Sequence, residues 1–345
     1  MKITIAERLI PFSHTPGASC VIPGTTWEIE AFPTLLRIGR GKIELKLMLS
    51  GPIEEFTLQQ DLEKNCVWIF GKAKEGYYRL RIEGSDSGFN LFAEKTPPKG
   101  LVYDGTAHGT LKKKDHLHLP MEVVFVKKEI HERLSLGSHK DQDWDLVQKR
   151  CDLKEILPVL FCLGQKTPYI PPQPLKGTAR LLEIPTDRNQ VAPAIQAFLK
   201  AAFTKILIPR LVDDQFQGLS PQESAEGNRF FLIQEGGKMV RNLFFKQEER
   251  RLKILPLLPT PLDSGRMIHM NAKGIGELDF EWSKKFLRRL ILRATTSGEV
   301  IFVMPSEIKS FRVRKSLKEK GKRQSSQDPV LVEAGKTYFL DRFQK

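Results

Sequence analysis

Residues 27–32 read WEIEAF, residues 42–49 read KIELKLML, and residues 78–83 read YRLRIE. In each stretch apolar and polar side chains alternate, which places one face of a strand in a core and the other in water. This pattern is typical of antiparallel sheets. Turn residues separate the stretches at intervals of roughly ten residues, the spacing found in β-sandwiches and barrels. Residues 1–127 are therefore predicted to form an antiparallel β unit.

The pattern becomes helical over residues 128–227. Residues 141–149 fit a helix, and Asp152 is a suitable N-cap for a second one, which Gly164 is expected to end. A third helical segment covers residues 189–202. Between them, residues 168–174 read PYIPPQP, which predicts an extended connector. The middle of the chain is thus predicted to be a helical insert.

Strands are predicted to resume over residues 228–345. Residues 234–238 (QEGGK) fit the turn of a hairpin, because glycines separate two apolar runs. Residues 286–293 (FLRRLILR) fit a strand, with a basic amphipathic helix as the alternative. The predicted fold class is mainly β with a helical middle (α+β), in which two antiparallel sheet units pack like a sandwich.

Similar residue patterns at the two ends suggest an internal duplication. Residues 53–62 carry Ile, Phe, Leu and Leu at the spacing at which residues 308–317 carry Ile, Phe, Val and Leu. Trp27 would then correspond to Leu278, and Tyr78 to Tyr338. Because any two amphipathic strands share alternation, coincidence is the alternative explanation.

The positive charge is concentrated in the last third of the chain. The net charge is +14, and residues 235–345 hold 24 Lys and Arg against 13 Asp and Glu, whereas residues 1–234 hold 31 against 28. Such an asymmetry favours an anionic partner, either an acidic protein or another anionic macromolecule. The alternative is that these charges only keep a β-rich protein soluble.

The densest basic run covers residues 309–323. Alternation places Phe311 inward and Arg312 and Arg314 outward, and residues 318–323 fit an exposed loop. The outward side lacks the aromatic side chains that stack on bases, so nucleic acid is an alternative rather than the favoured partner. The residues predicted to bind an anionic partner are Lys309, Arg312, Arg314, Lys315, Lys318, Lys320, Lys322 and Arg323.

Carboxylates and tryptophans in the strands support a second hypothesis, a carbohydrate-binding or carbohydrate-acting protein. Glycoside hydrolysis requires two carboxylates about 5–9.5 Å apart across a cleft. The candidate acids are Glu28, Glu30, Asp213, Asp214 and Glu281. The tryptophans that could face a sugar are Trp27, Trp68 and Trp282, for which core packing is the usual alternative.

Metal and thiol chemistry receive little support. His116 and His118 lie two residues apart in a predicted strand and share a face, but no third ligand has a suitable spacing, so no metal is predicted. The four cysteines form no C-x-x-C pair and are predicted to be buried thiols in a reducing compartment.

Common catalytic and targeting motifs are missing from the sequence. It contains no P-loop, dinucleotide fingerprint, nucleophile elbow or H-E-x-x-H motif, so neither a cofactor nor a reaction is predicted. Glu7 and Arg8 interrupt the apolar N-terminal run, and no run approaches the ~18 apolar residues of a membrane span. These features predict a cytoplasmic, non-catalytic binding or scaffold protein.

Overall fold

The computed structural model confirms the predicted fold class. Strands form 42% of it and helices 18%, in several antiparallel sheets, so the fold is a β-rich α+β fold. No helix among the described residues is long and apolar enough to cross a membrane. The structure describes residues 2–127, 129, 131–137, 142–175, 177–210 and 228–345.

Most of the stretches in which apolar and polar residues alternate lie in the strands that precede the first helix. In the eighth strand the apolar residues Tyr78, Leu80 and Ile82 are buried, whereas the side chains between them face outward, as alternation predicts. These strands are β1 Phe12–Ser13, β2 Ala18–Val21, β3 Glu28–Phe32, β4 Leu35–Ile38, β5 Ile43–Leu47, β6 Glu54–Asp61, β7 Cys66–Ala73, β8 Gly76–Ser85, β9 Gly88–Lys95, β10 Leu101–Gly105, β11 Gly109–Leu111, β12 His116–Pro120 and β13 Arg133–Ser135.

Helices occupy the middle of the chain. The Asp152 side chain accepts from the Lys154 backbone N–H and caps the second helix, as predicted, but this helix continues through Gly164. The elements of this region are α1 Trp144–Arg150, α2 Leu153–Lys166, a 3-10 helix Gly177–Leu182, α3 Arg188–Ala202, β14 Phe203–Thr204, β15 Ile208–Pro209 and α4 Phe231–Phe244.

The strands that follow the helices complete the fold. The stretch 286–293 lies in a strand, which confirms that prediction over its helical alternative. The strands are β16 Phe245–Glu248, β17 Arg251–Ile254, β18 Gly265–Ala272, β19 Gly276–Ser283, β20 Phe286–Ala294, β21 Gly298–Val303, β22 Ser310–Arg314, β23 Lys322–Ser325, β24 Val330–Val332 and β25 Thr337–Gln344.

The described residues form five sheets, of which β14 and β15 make a two-stranded one. One large apolar core is shared by the sheets and the buried faces of the helices. The first sheet has the order β1-β6-β7-β8-β9-β12, and the second β11-β10-β5-β4-β3-β2. The third has the order β13-β18-β19-β20-β25-β22-β23, and the fourth β16-β17-β21-β24. Within the described residues β17 and β21 pair in parallel, and the other named pairs in these sheets are antiparallel. Because β13 pairs with β18, the middle of the chain contributes to the third sheet.

The prediction of a hairpin over residues 234–238 is wrong, because these residues lie inside α4. Leu232, Gly236, Val240 and Leu243 share one buried face at helical spacing. Gly237 faces α2 rather than a turn: a Cβ built on Gly237 would lie 3.1 Å from the Gly164 Cα atom. The glycines that resemble turn or stop signals therefore allow two helices to pack closely.

Gly164→Ala is expected to destabilise the protein by about 1–2 kcal/mol, because overpacking outweighs the gain in helix propensity. The new Cβ would lie 2.9 Å from the Ile233 carbonyl oxygen, which belongs to a helix backbone. Gly236→Ala is the matched control, because its nearest neighbours are movable Leu160 methyl groups at 3.2 and 3.4 Å. Urea denaturation of both variants measures the difference, and equal stabilities would contradict the expectation.

The segments behind the duplication hypothesis occupy different positions in the sheets. Residues 53–62 include β6, beside β1 and β7, whereas residues 308–317 include β22, beside β23 and β25. Trp27 precedes β3 of the second sheet, but Leu278 lies in β19 of the third. The proposed residue matches are therefore not supported. The topology shows a different likeness: β12 returns to pair with β9, the last strand of β7-β8-β9, as β25 pairs with β20 after β18-β19-β20. This likeness pairs other strands than the residue matches do, and the duplication itself stays a prediction.

Candidate binding surfaces

The predicted cationic site lies on a hairpin at one edge of the third sheet. Strands β22 and β23 pair antiparallel, with Phe311 opposite Gln324 and Val313 opposite Lys322. Phe311 is 1% exposed, so alternation points it into the core, as expected. We refer to residues 309–325 as the cationic hairpin; its sequence holds eight Lys and Arg but one carboxylate, Glu319.

Asp341 on β25 holds two of the arginines. Arg312 Nε and Nη2 donate to the Asp341 oxygens at 2.7 and 2.9 Å, and Arg314 Nη2 donates at 2.5 Å. Burial alone would raise the pKa of Asp341, but the guanidinium groups outweigh it and hold the pKa below its ordinary value. Arg312 and Arg314 therefore attach the hairpin to the sheet.

The remaining cations of the hairpin are exposed. Lys315 pairs with Glu333 at 2.5 Å. The Glu319 carboxylate accepts from the backbone N–H groups of Lys315 and Ser316, so it orders the turn between the strands. The cations of the hairpin that have no ion pair with a described residue are Lys309, Lys318, Lys320, Lys322 and Arg323.

The structure places the candidate acid Glu28 in an ion pair rather than in a cleft. Its Oε2 atom lies 2.6 Å from Arg229 Nη2, and its Oε1 atom lies 3.6 Å from Arg40 Nε. Both Glu28 and Arg229 are about 15% exposed, so the pair is largely desolvated. Glu30, two residues further along β3, lies 3.6 Å from Arg37. Both carboxylates therefore contact arginine side chains.

The other candidate acids do not join these two. Glu281 lies on β19 of the third sheet, where it pairs with Arg289 and lies 3.6 Å from Arg266. Asp213 and Asp214 lie outside the described residues. The described candidates therefore show no pair of carboxylates facing each other. Their catalytic role stays a prediction without a supporting contact.

His116 and His118 share a face of β12, as the alternation predicts, but the ring of each contacts a side chain of β9. The His116 ring stacks on Phe92 with the ring centroids 5.9 Å apart. The His118 Nδ1 atom lies 2.9 Å from the Asn90 Oδ1 atom. Neither histidine belongs to a group of three metal-ligating side chains among the described residues.

Another group of metal-ligating side chains has no signal in the local sequence, because its members lie on two strands. The ligand atoms of His269, Glu277 and Asp279 lie within 4.8 Å of one another on β18 and β19. The Arg293 guanidinium already donates to Glu277 at 2.8 Å and to Asp279 at 2.6 Å. Because a cation already neutralises both carboxylates, this group forms an arginine network and not an open metal site.

The tryptophans proposed as sugar platforms are mostly buried. Trp282 is 2% exposed, stacks on Phe244 and donates to the Leu262 carbonyl oxygen. Trp68 is 8% exposed, and Trp27 is half-buried with Lys42 over its ring. Such contacts are those of core and sheet packing and do not favour the carbohydrate hypothesis.

The cysteine side chains are free thiols. Cys20, Cys66 and Cys162 are buried, as predicted, whereas Cys151 is half-buried because it ends α1. Burial raises the pKa of Cys66 and of Cys162 to about 12, and it also raises the pKa of Cys20 and Cys151. A thiol reacts as its thiolate, so none of these groups is activated as a nucleophile.

No model of a known protein family matches the chain, and no curated protein is significantly similar to it in sequence.

Proposed function

We propose that the protein is a non-catalytic binding or scaffold protein whose cationic hairpin binds an acidic segment of a partner protein. One observation carries this proposal: five exposed cations on one fixed hairpin have no carboxylate partner among the described residues. Like charges gathered without counter-ions create a positive potential that attracts anions. The Asp341 contacts hold the hairpin in place, so little ordering is needed on binding.

The chemistry of the hairpin favours carboxylates over nucleic acid. Four of the five unpaired cations are lysines, which attract an anion as point charges and impose no planar, bidentate geometry on it. Phe311 is buried, so this surface offers no ring on which a base could stack. Strand β23 also forms an edge of the sheet, where an extended segment can add backbone hydrogen bonds.

A labelled twelve-residue polyglutamate peptide tests the proposal. Replacing Lys318, Lys320, Lys322 and Arg323 by Gln should weaken binding at least tenfold, because each lost contact with a charge contributes to affinity. The matched control replaces four exposed lysines outside the hairpin by Gln, which lowers the net charge equally: Lys99, Lys149, Lys200 and Lys273. Fluorescence anisotropy at low and at physiological salt measures the affinity of both variants for the peptide.

The control variant is expected to lose less than threefold in affinity. Equal losses in both variants would mean that net charge, and not the hairpin, attracts the peptide. Unchanged binding by the hairpin variant would overturn the proposal, as would wild-type binding that does not weaken with salt.

A further inference from the structure

The outer face of the first sheet carries a row of aromatic and basic side chains that the cationic hairpin does not include. In the registered strand pairs, Trp68 on β7 lies opposite Arg81 on β8, and Arg81 lies opposite Phe92 on β9. The row continues to His116 on β12 and, in the other direction, to Gln59 on β6. Residues in register across adjacent strands share one face, so these side chains form a continuous band.

A second row lies beside the first. Phe70 on β7 is opposite Arg79 on β8, and the Phe70 and Tyr77 ring centroids are 6.4 Å apart. The Lys95 Nζ atom lies 5.2 Å from the centroid of the Tyr77 ring. The rings of Phe70 and Tyr77 are half-buried, and Lys95 is exposed. We refer to both rows together as the aromatic face. Trp68 is its buried member, and its other side chains are half-buried or exposed.

Arg79 is the central cation of this face. Its guanidinium lies 4.1 Å from the centroid of the Trp68 ring and 5.8 Å from that of Phe70. It donates to no acceptor in the described part of the chain, and its Nε atom is buried without a partner. Arg81, in contrast, pairs with Glu83 and with Glu94. Arg79 is therefore held in a fixed plane by stacking, while its hydrogen-bond donors lack an anion.

We propose that the aromatic face binds single-stranded nucleic acid. The exposed ring of His116 and the half-buried rings of Phe70 and Tyr77 supply surfaces on which bases stack, and the Arg79 guanidinium supplies donors for a phosphate. Phe92 supports the His116 ring, because its own ring is covered by the Arg81 guanidinium, 4.1 Å from the ring centroid. Lys64 and Lys95, which have no ion pair among the described residues, extend the positive charge along the strands. Aromatic side chains on the central strands of a sheet, with basic groups between them, are the general arrangement by which sheets bind unpaired bases.

Other ligands fit this face less well. A pyranose ring packs on an open aromatic platform beside free carboxylates, but Arg79 covers Trp68, and Glu83 and Glu94 already bind Arg81. An acidic peptide would use the cations but not the rings. A duplex hides the faces of its bases, so the rings would contribute little.

Fluorescence anisotropy with labelled dT12 tests this proposal. Phe92→Ala, which removes the ring on which His116 stacks, and Arg79→Gln, which removes the proposed phosphate donors, should each weaken binding about tenfold. His116→Ala changes an exposed side chain and cannot easily impair folding, and it should weaken binding about threefold. The matched control is Arg288→Gln, because the Arg288 guanidinium also lies near an aromatic ring, 5.7 Å from that of Phe286, but on β20.

The Arg288→Gln control should bind dT12 as the wild type does. Neither a twelve-base-pair duplex nor the polyglutamate peptide should displace dT12 when the competitor is added at the same total concentration of negative charge. Equal displacement by polyglutamate would overturn the proposal, because charge alone would then explain binding. The variant with four Gln residues in the cationic hairpin should keep most of its affinity for dT12. If the hairpin variant loses its affinity for dT12 and Phe92→Ala keeps it, the nucleic acid binds the hairpin and not the aromatic face. This conclusion does not depend on the result with the acidic peptide.

Discussion

Glu63→Gln should lower the free energy of unfolding by about 3 kcal/mol at pH 7, because it leaves a largely buried arginine without its counter-ion. The Glu63 oxygens accept from Arg133 Nη2 at 2.6 Å and from Nη1 at 2.9 Å. The two side chains are 10% and 13% exposed. One Glu63 oxygen also accepts from the backbone N–H groups of Arg8 and Leu9. A single carboxylate thus joins the N-terminal segment, the turn after β6, and β13 of the third sheet.

The pH dependence of this effect has a definite sign. Burial would raise the pKa of Glu63, but Arg133 and the backbone donors outweigh it and lower the pKa. A carboxyl whose pKa is lowered on folding contributes its full stabilisation above its pKa in the unfolded chain, which is about 4.3. This stabilisation is lost as the pH falls through the pKa of the carboxyl in the folded protein. The difference in stability between wild type and Glu63→Gln should therefore shrink below about pH 4.3.

Glu30→Gln is the matched control for Glu63→Gln. Glu30 pairs with Arg37 at 3.6 Å, and both side chains are 39% exposed, so the loss should be under about 1 kcal/mol. Urea denaturation at pH 7 and at pH 3.5 measures both variants. Arg133→Met and the double variant complete a double-mutant cycle, which isolates the pair interaction. If Glu63→Gln costs no more than Glu30→Gln, the pair makes no net contribution.

Strands could be predicted from the sequence because their signal is local. Each stretch that alternates, such as residues 78–83, has one buried and one outward face whatever strand lies beside it. The N-cap at Asp152 is local in the same sense, because it involves a backbone N–H two residues away. The helix α4 was missed because its glycines serve a contact with Gly164, about 70 residues earlier in the chain. Local patterns contain no information about such a partner.

Distant residues also decide which cations of the basic run 309–323 are paired and which are free to bind a partner. The sequence groups eight cations between residues 309 and 323, but Asp341 on β25 removes Arg312 and Arg314 from those available to a partner. The aromatic face could be predicted only in part. Alternation shows that Trp68 and Phe70 share one face of β7. It does not show that Arg79 on β8 shares that face, because the register between the strands brings the guanidinium to the rings.

Asp341→Asn should destabilise the protein by about 2–3 kcal/mol, because Arg312 and Arg314 are 19% and 12% exposed and lose the charge that both bind. The hairpin should be affected most, since the lost contacts attach β22 to β25. Hydrogen exchange of the backbone amides in residues 310–314 and 322–325 should become faster than in β19 or β20. Glu333→Gln is the control, because the Lys315–Glu333 pair is about half-exposed and should contribute much less to stability.

The same variant separates two explanations of the proposed binding of an acidic partner. Asp341→Asn raises the net charge by one and frees two arginines, so attraction by charge alone predicts tighter binding of the polyglutamate peptide. A hairpin that binds because its cations are held in place predicts weaker binding, since the variant must order the hairpin again at an entropic cost. We expect affinity to fall about threefold in Asp341→Asn and to stay unchanged or rise slightly in Glu333→Gln. A rise in both variants would show that the contacts of Asp341 stabilise the fold but do not prepare the hairpin for its partner.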